Sequence, residues 1–305
     1  SDSGKLGDRM RALLLANPRA GVSRGHPALA EIDRRLHAAG MDVHLVEAAG
    51  LDGVAPALRD ALRRESPERV RVIVAGGDGT IHVALPALAG TEFPMAVLPV
   101  GSVNVLAREL GIPLGLDDAI ALAGAGRLRR IDLGMANDRP FALMAGMGFD
   151  AAVVHSVASD IKNLVGSFAY VARGLRVLAT HPLSTFRITT EQETIEIDAW
   201  LAVVANASRY TYSWRLASDA RIDDGYLNLC LFHTRSAVQT AGQVAATLLG
   251  KGGTYPGVLH MKARELRFEY RPPVCIQLDG DPAGETPVDL RAAPGSLTVV
   301  VPADP

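Results

Sequence analysis

Apolar residues in the first third of the chain gather into short runs. Ala12 to Ala16, Val43 to Glu47, Val70 to Ala75 and Met95 to Leu98 are the clearest. Runs of this length, rich in valine and leucine, predict strands buried on both faces. Between them the spacing turns helical. Pro27 to Ala39 is amphipathic and is followed by Gly40 as a C-cap, and Val54 to Arg64 predicts a second helix. Ile81 to Leu88 predicts a third, and Val105 to Leu110 a short one stopped by Gly111 and Pro113. Strands alternating with helices make a parallel α/β sheet, and such sheets bind ligands at the carboxyl ends of their strands.

The pattern changes near Ile131-Asp132-Leu133-Gly134. Asn137 to Pro140 reads as a hairpin turn and Phe141 to Ala145 as the next strand. Asp150 to Thr180 is long, largely apolar and mostly helical, and Ser236 to Leu249 is a further helix. Strands otherwise dominate: Thr185 to Thr190, Ile195 to Ala205, Tyr226 to His233, Val258 to Tyr270, Val274 to Asp279 and Ser296 to Val301. Consecutive strands joined by turns pair antiparallel. The expected fold is therefore an N-terminal α/β domain with a parallel sheet over 8–133. A mainly antiparallel β-sandwich domain follows over 134–305, its last residues free to return to the first domain.

Composition narrows the class. At 305 residues the chain can build two cores, and 48% hydrophobic with 21% charged residues suits a globular enzyme. A net charge of −2 argues against a general nucleic-acid binder. Lys5, Lys162, Lys251 and Lys262 are the only lysines, so the positive charge is nearly all arginine, which suits phosphate but equally reflects genome composition. Cys230 and Cys275 sit in apolar runs, as expected of thiols in a reducing compartment. No apolar run approaches the roughly 18 residues of a membrane-spanning helix. Ser1 to Gly7 carries no signal-peptide pattern and reads as a loose tail.

The candidate chemistry lies at strand ends. Gly76-Gly77-Asp78-Gly79-Thr80 follows the strand Val70 to Ala75 and precedes a helix. Its three glycines predict unusual backbone angles and close approach of a ligand, and Thr80 stands where free helix N–H groups would receive phosphate. Gly101 to Asn104 forms a second such loop. Asp223-Asp224-Gly225 reads as an acidic turn, and Leu278-Asp279-Gly280-Asp281 delivers carboxylates to a turn, suited to a surface hairpin, to base chemistry or to metal. Other matches fail in context. Gly21 to Gly25 lacks the strand of a nucleophile elbow, Gly146 to Ala151 reads as a packing turn, and Gly250-Lys251 is followed by Gly252 where a phosphate-binding loop needs Ser or Thr. The eight histidines show no metal-ligand spacing.

Taken in order, these residues resemble the diacylglycerol kinase catalytic family, which includes bacterial lipid kinases, sphingosine kinases and ceramide kinases. The resemblance runs through Asn17-Pro18-x-x-Gly21, Gly76 to Thr80, Pro99-x-Gly101-Ser102-x-Asn104-x-x-Ala107-Arg108, Ile131 to Gly134, Gly148-Phe149-Asp150, Asp223 to Gly225 and Asp279-Gly280. It implies ATP held by Asn17, Gly76, Gly77, Asp78, Gly79, Thr80, Gly101, Ser102 and Asn104. It implies Asp279 as general base, with Asp281 beside it as a like charge raising its basicity. It implies Mg²⁺ on the phosphates near Asp78, and a structural Mg²⁺ on Asp224 and the carbonyls of Arg221 and Tyr226. The chain departs from the common pattern at Ser102, often Thr, at Val105, often Asp, and at Asp281, often Glu.

The expected activity is an ATP-dependent lipid kinase acting on a lipid alcohol, diacylglycerol first, with a sphingoid base, phosphatidylglycerol or NAD as other acceptors. A non-catalytic lipid- or nucleotide-binding protein is the alternative, prompted by Val105. Such an enzyme would be cytoplasmic, work at the inner face of a membrane without spanning it, and leave a homodimer open. Arg173 and Arg176, three apart on one helical face, would either meet anionic headgroups or form an ordinary solvated face.

Overall fold

The computed structural model describes residues 10–16, 29–148, 184–209, 217, 219–233, 239, 242–243, 246, 257–270 and 273–303. The chain forms two compact units, Ser1–Asp132 with Gly295–Pro305, and Leu133–Pro294.

In the first unit, β1 (Arg11–Ala16), β2 (Asp42–Leu45), β3 (Val70–Gly76) and β4 (Met95–Pro99) run parallel in the order β2-β1-β3-β4. The end of the chain's last strand, β16 (Val288–Val301), adds to β4 in parallel, with Val299 opposite Met95. The helices are α1 (Leu29–Ala38), α2 (Val54–Leu62), α3 (Asp78–Leu88), α4 (Val105–Glu109) and α5 (Leu116–Ala125). Helix α1 turns Ile32 and Leu36, four apart, into a core with Leu14, Ile73, Leu98 and Ile120. The register sets Gly76 beside Pro99, so the two glycine loops leave the sheet from neighbouring strand ends.

The second unit holds two antiparallel layers. In one, the first part of β16 pairs with β13 (Glu265–Tyr270), β13 with β8 (Ser184–Thr190), and β8 with β9 (Thr194–Ala199). The other layer runs β12 (Val258–Ala263), β11 (Leu227–Phe232), β10 (Leu201–Ala205), β7 (Met144–Gly148), β14 (Cys275–Leu278), β15 (Asp281–Glu285). β5 (Arg127–Ala136) and β6 (Arg139–Phe141) form a hairpin about Asn137, whose φ is 50°. Alternation in β13 buries Leu266, Phe268 and Tyr270 and exposes Glu265 and Arg267. Phe186 stands edge-on to Phe268, with ring centroids 6.4 Å apart, in a core shared with Leu229, Ile276 and Leu278.

Several expected elements are revised. The run Ile195 to Ala205 is two strands broken at Trp200, and Val258 to Tyr270 is two strands broken at Arg264. In each case the halves belong to different layers, so the chain must leave one ladder to join the other. Phe141 to Ala145 is likewise divided, at Ala142 and Leu143. Gly146 to Gly148 is strand and not a turn, α3 begins at Asp78 and not at Ile81, and α5 and β15 are additional elements. The stretch Asp150 to Thr180, with Arg173 and Arg176, and most of Ser236 to Leu249 lie outside the described residues.

Candidate active site

Strand β3 delivers Gly76 and Gly77 to the amino end of α3, with Gly77 as N-cap in extended conformation. Asp78, Gly79 and Thr80 therefore form the first helical turn, where backbone N–H groups point along the axis and the helix dipole favours an anion. Gly79 is exposed at the tip. None of Gly76, Gly77, Gly79 or Gly101 has a positive φ, so the expected unusual backbone angles are absent. Packing explains three of the four. A Cβ on Gly76 would overlap the Thr80 side chain, and one on Gly101 would overlap the Gly77 Cα and come within 2.7 Å of Asn104 Oδ1. Gly77 is tight in the reverse sense, its Cβ falling 3.3 Å from the Gly101 Cα. The two loops touch backbone to backbone. A Cβ on Gly79 meets nothing within 4 Å, so folding does not demand glycine there.

The side chains of these loops brace them. Asp78 Oδ2 accepts the Val105 N–H at 2.9 Å and Oδ1 the Leu106 N–H at 3.0 Å. These are the first two amides of α4, whose own N-cap, Asn104, makes no capping bond with its side chain. Asp78 is thus a cap delivered from the neighbouring loop. Asn104, in the left-handed region at φ 55°, donates Nδ2–H bonds to the carbonyls of Pro99 (3.0 Å) and Gly101 (2.8 Å) and accepts the Gly101 N–H at 3.0 Å. An amide has two N–H donors. Both are used inside the loop, which revises the expectation that this side chain reaches a nucleotide. Ser102 is exposed at the loop tip, and Asn17 lies outside the described residues.

In the second unit, Asp279 and Gly280 form the two-residue turn between β14 and β15, with φ of 50° and 92° and Leu278 paired to Asp281. Two consecutive positive φ values mark a type I′ hairpin, which an Asp-Gly pair suits. The Asp279 carboxylate accepts three amides: Ala142 N–H on Oδ2 at 2.7 Å, and Leu143 and Met144 N–H on Oδ1 at 2.8 and 2.9 Å. Those amides are freed by the break between β6 and β7. Asp281 opens β15 and is half-buried. Asn206, fully buried just after β10, donates its Nδ2–H to the Ala142 carbonyl at 2.8 Å, and its backbone N–H goes to Leu143 at 2.8 Å. Segment 142–144 is therefore clamped from both neighbouring strands. Asn206 was missed in the sequence, although a polar residue closing the buried run Leu201 to Ala205 was a usable signal.

At Asp224 the expectation of a metal does not fit the side chains present. Oδ1 accepts the Tyr226 N–H at 3.1 Å, closing a local turn over Gly225 (φ 75°), and Oδ2 is 2.8 Å from the Lys262 ammonium. Two cations lie over the Tyr226 ring, with Lys262 Nζ 4.8 Å and Arg264 Cζ 4.9 Å from its centroid. Arg221 is exposed. Among the described residues, no three His, Cys, Asp or Glu side chains gather as a metal site. The buried Asp132 accepts the Gly295 N–H at 2.7 Å, and a Cβ on Gly134 would overlap the Phe141 ring, so the Asp132 to Gly134 motif has structural work of its own.

Comparison with known proteins places the family and the fold. The family model for the diacylglycerol kinase catalytic domain matches residues 11–136, and that for the YegS C-terminal NAD kinase beta sandwich-like domain matches 144–301. An uncharacterized protein of Synechocystis sp. is 29% identical over 238 residues, covering 76% of this chain, which spans only 55% of that protein. A diacylglycerol kinase of Staphylococcus saprophyticus is 26% identical over 300 residues, 97% of each chain. Among solved structures, a diacylglycerol kinase from Bacillus anthracis superposes with a TM-score of 0.75 at 22% identity, covering 95% of this chain and 96% of that one. An NAD kinase from Archaeoglobus fulgidus gives a TM-score of 0.50 at 12% identity, covering 95% and 93%. At these identities the two solved structures speak to the fold alone.

Proposed function

The chain belongs to the diacylglycerol kinase catalytic family, and from that premise we propose that it transfers the γ-phosphoryl group of ATP to the hydroxyl of a lipid alcohol, with diacylglycerol as acceptor and phosphatidic acid as product. The observation that carries this reading is the pair of glycine loops. They leave adjacent strands, meet backbone to backbone, and present the first turn of α3 beside them. A backbone-lined anion site of this kind suits the triphosphate of ATP.

Phosphoryl transfer asks a protein mainly for positioning and charge stabilisation. The acceptor oxygen forms a bond to the γ-phosphorus as the bond to the β,γ-bridging oxygen breaks, and ADP leaves. The acceptor gives up its hydroxyl proton in that step. Asp279 is our assignment for the group that takes it, on the resemblance of its Asp-Gly turn to that of the family, and three amides hold its carboxylate in place. The amides of Asp78 and Gly79 orient the phosphates, the Thr80 N–H being taken by the Gly77 carbonyl at 3.0 Å. Asp78 holds α4 against that turn through Val105 and Leu106 and thereby sets the second loop. Magnesium arriving with ATP would neutralise phosphate charge, and no protein side chain is assigned to it.

Among the described residues no helix is long and apolar enough to cross a membrane. The proposed acceptor resides in a lipid surface, so the enzyme would meet it there. The test is transfer from radiolabelled ATP to a panel of acceptors in mixed micelles: diacylglycerol, a sphingoid base, phosphatidylglycerol, and NAD in solution. Label entering diacylglycerol preferentially supports the proposal. Label entering NAD alone, or none at all from folded protein that binds ATP, rejects it.

A further inference from the structure

The turn from Arg221 to Tyr226 is the place where family resemblance implies a structural divalent cation, and its Asp224 carboxylate is paired with a cation of the protein's own. We propose that the Lys262 ammonium stands in for that metal, so that this turn is built without a divalent ion.

Three observations support this. The first is register. β11 and β12 pair Leu227 with Ala263 and Asn228 with Lys262, which brings Lys262 alongside the start of β11, where the turn ends. Nζ then reaches Asp224 Oδ2 at 2.8 Å, on a carboxylate side chain only 18% exposed. The second is that both carboxylate oxygens are engaged within the protein. The other oxygen holds the Tyr226 N–H at 3.1 Å, so one side of Asp224 shapes the turn and the other takes the ammonium. The third is the surrounding charge. Arg264 lies over the same Tyr226 ring that Lys262 approaches, and its Nη2 is 3.4 Å from the Tyr226 hydroxyl. A divalent ion placed on Asp224 would add two positive charges beside an ammonium and a guanidinium.

The residue type fits the same reading. Only four of the 31 basic residues are lysine, and one of them stands here. An ammonium is a compact, strongly hydrated point charge, closer to a metal ion than the planar guanidinium fork. The pair joins residues 38 apart in sequence, tying the turn to β12 as a bound ion would tie it to its ligands.

The inference does not depend on the proposed reaction, and its test reads stability, not turnover. Thermal unfolding of the full chain without nucleotide would be followed in EDTA, in millimolar MgCl2 and in NaCl of matched ionic strength. The wild type should melt at the same temperature in all three. Lys262→Met, which keeps the aliphatic stem, should melt lower in EDTA by roughly 2–4 °C. A wild type stabilised by MgCl2 beyond the matched NaCl, or a Lys262→Met variant melting like wild type in EDTA, overturns the inference. Should the variant fail to fold, calorimetric titration of MgCl2 into the nucleotide-free wild type decides. Absence of a stoichiometric site supports the inference, and a site abolished by Asp224→Asn refutes it.

Discussion

Gly101 faces Gly77 with no room for a side chain, since a Cβ on Gly101 would overlap the Gly77 Cα and lie 2.8 Å from the Gly77 nitrogen. The contact joins the ends of two parallel strands and makes one surface of two loops. Gly101→Ala must push the loops apart, because the obstructing atoms are backbone. We expect it to lower thermal stability and to weaken ATP binding together. Gly79→Ala is the contrasting variant. Its Cβ meets no protein atom within 4 Å and it lies in a helical turn, so stability should hold or rise by up to about 1 kcal/mol. If phosphate lies against this turn, ATP affinity should still fall. Calorimetry on both proteins checks the pair, and unchanged affinity in Gly79→Ala would reduce the loop to a structural turn.

Asp78 caps α4 from 27 residues away through the amides of Val105 and Leu106. Asp78→Ala should cost about 1–2 kcal/mol in urea unfolding. Asp78→Asn keeps one carbonyl acceptor, so its loss should be smaller. Equal stability of all three proteins would show that the cap contributes nothing.

Asp279→Asn cannot be read as loss of a base alone. The carboxylate accepts amides on both oxygens, and the variant sets its own NH2 against one of those N–H groups. An unsatisfied buried donor costs about 1–3 kcal/mol. We therefore predict a lower melting temperature together with a turnover loss of about 10²–10⁴-fold, measured well below the melting temperature. Asn206→Ala separates the two effects. It loosens the same segment through the Ala142 carbonyl while leaving the carboxylate in place. It should destabilise the protein comparably but lose far less turnover. A turnover loss matching that of Asp279→Asn would remove the case for proton transfer by Asp279.

Much of the first unit was legible in the sequence because its strands are short apolar runs and its turns carry glycine. The Asp-Gly hairpin at Asp279 was legible for the same local reason. The breaks at Trp200 and Arg264 were not, because neither carries the glycine or proline that marks a turn and strand-forming residues continue on both sides. Helix α5 did carry signals, with Gly115 before it, Asp117 and Asp118 in its first turn and Gly126 behind it. At the site, residue types were readable but partners were not. Asp78 with Leu106, Asn104 with Pro99 and Asp224 with Lys262 are tertiary pairings, and the same carboxylates read equally well as ligands or bases until their hydrogen bonds were placed.

The thiols give a pH prediction. Burial, aided by the Asp219 carboxylate, pushes Cys230 up to about 12 from an ordinary value of 9.0, and burial also raises Cys275. The thiolate is the reactive form, so native protein at pH 8 should react slowly with a disulfide reagent, and unfolded protein should release two thiols promptly. The folded state retains the Cys230 proton where the unfolded chain loses it. Its stabilising contribution is whole below pH 9.0 and is lost as pH rises toward about 12. Prompt reaction of both thiols in native protein at pH 8 would contradict the burial assigned to Cys230.

If the two glycine loops serve phosphoryl transfer to a lipid alcohol, donor and product must change together. Purified protein would be given ATP and diacylglycerol in mixed micelles, with ADP quantified in the aqueous phase and phosphatidic acid in the organic phase by mass spectrometry. The wild type should form the two products in equal amounts, and Gly101→Ala should form much less of both at the same ATP concentration. ADP released without any phosphorylated lipid, or phosphatidic acid formed undiminished by Gly101→Ala, would contradict that role of the loops.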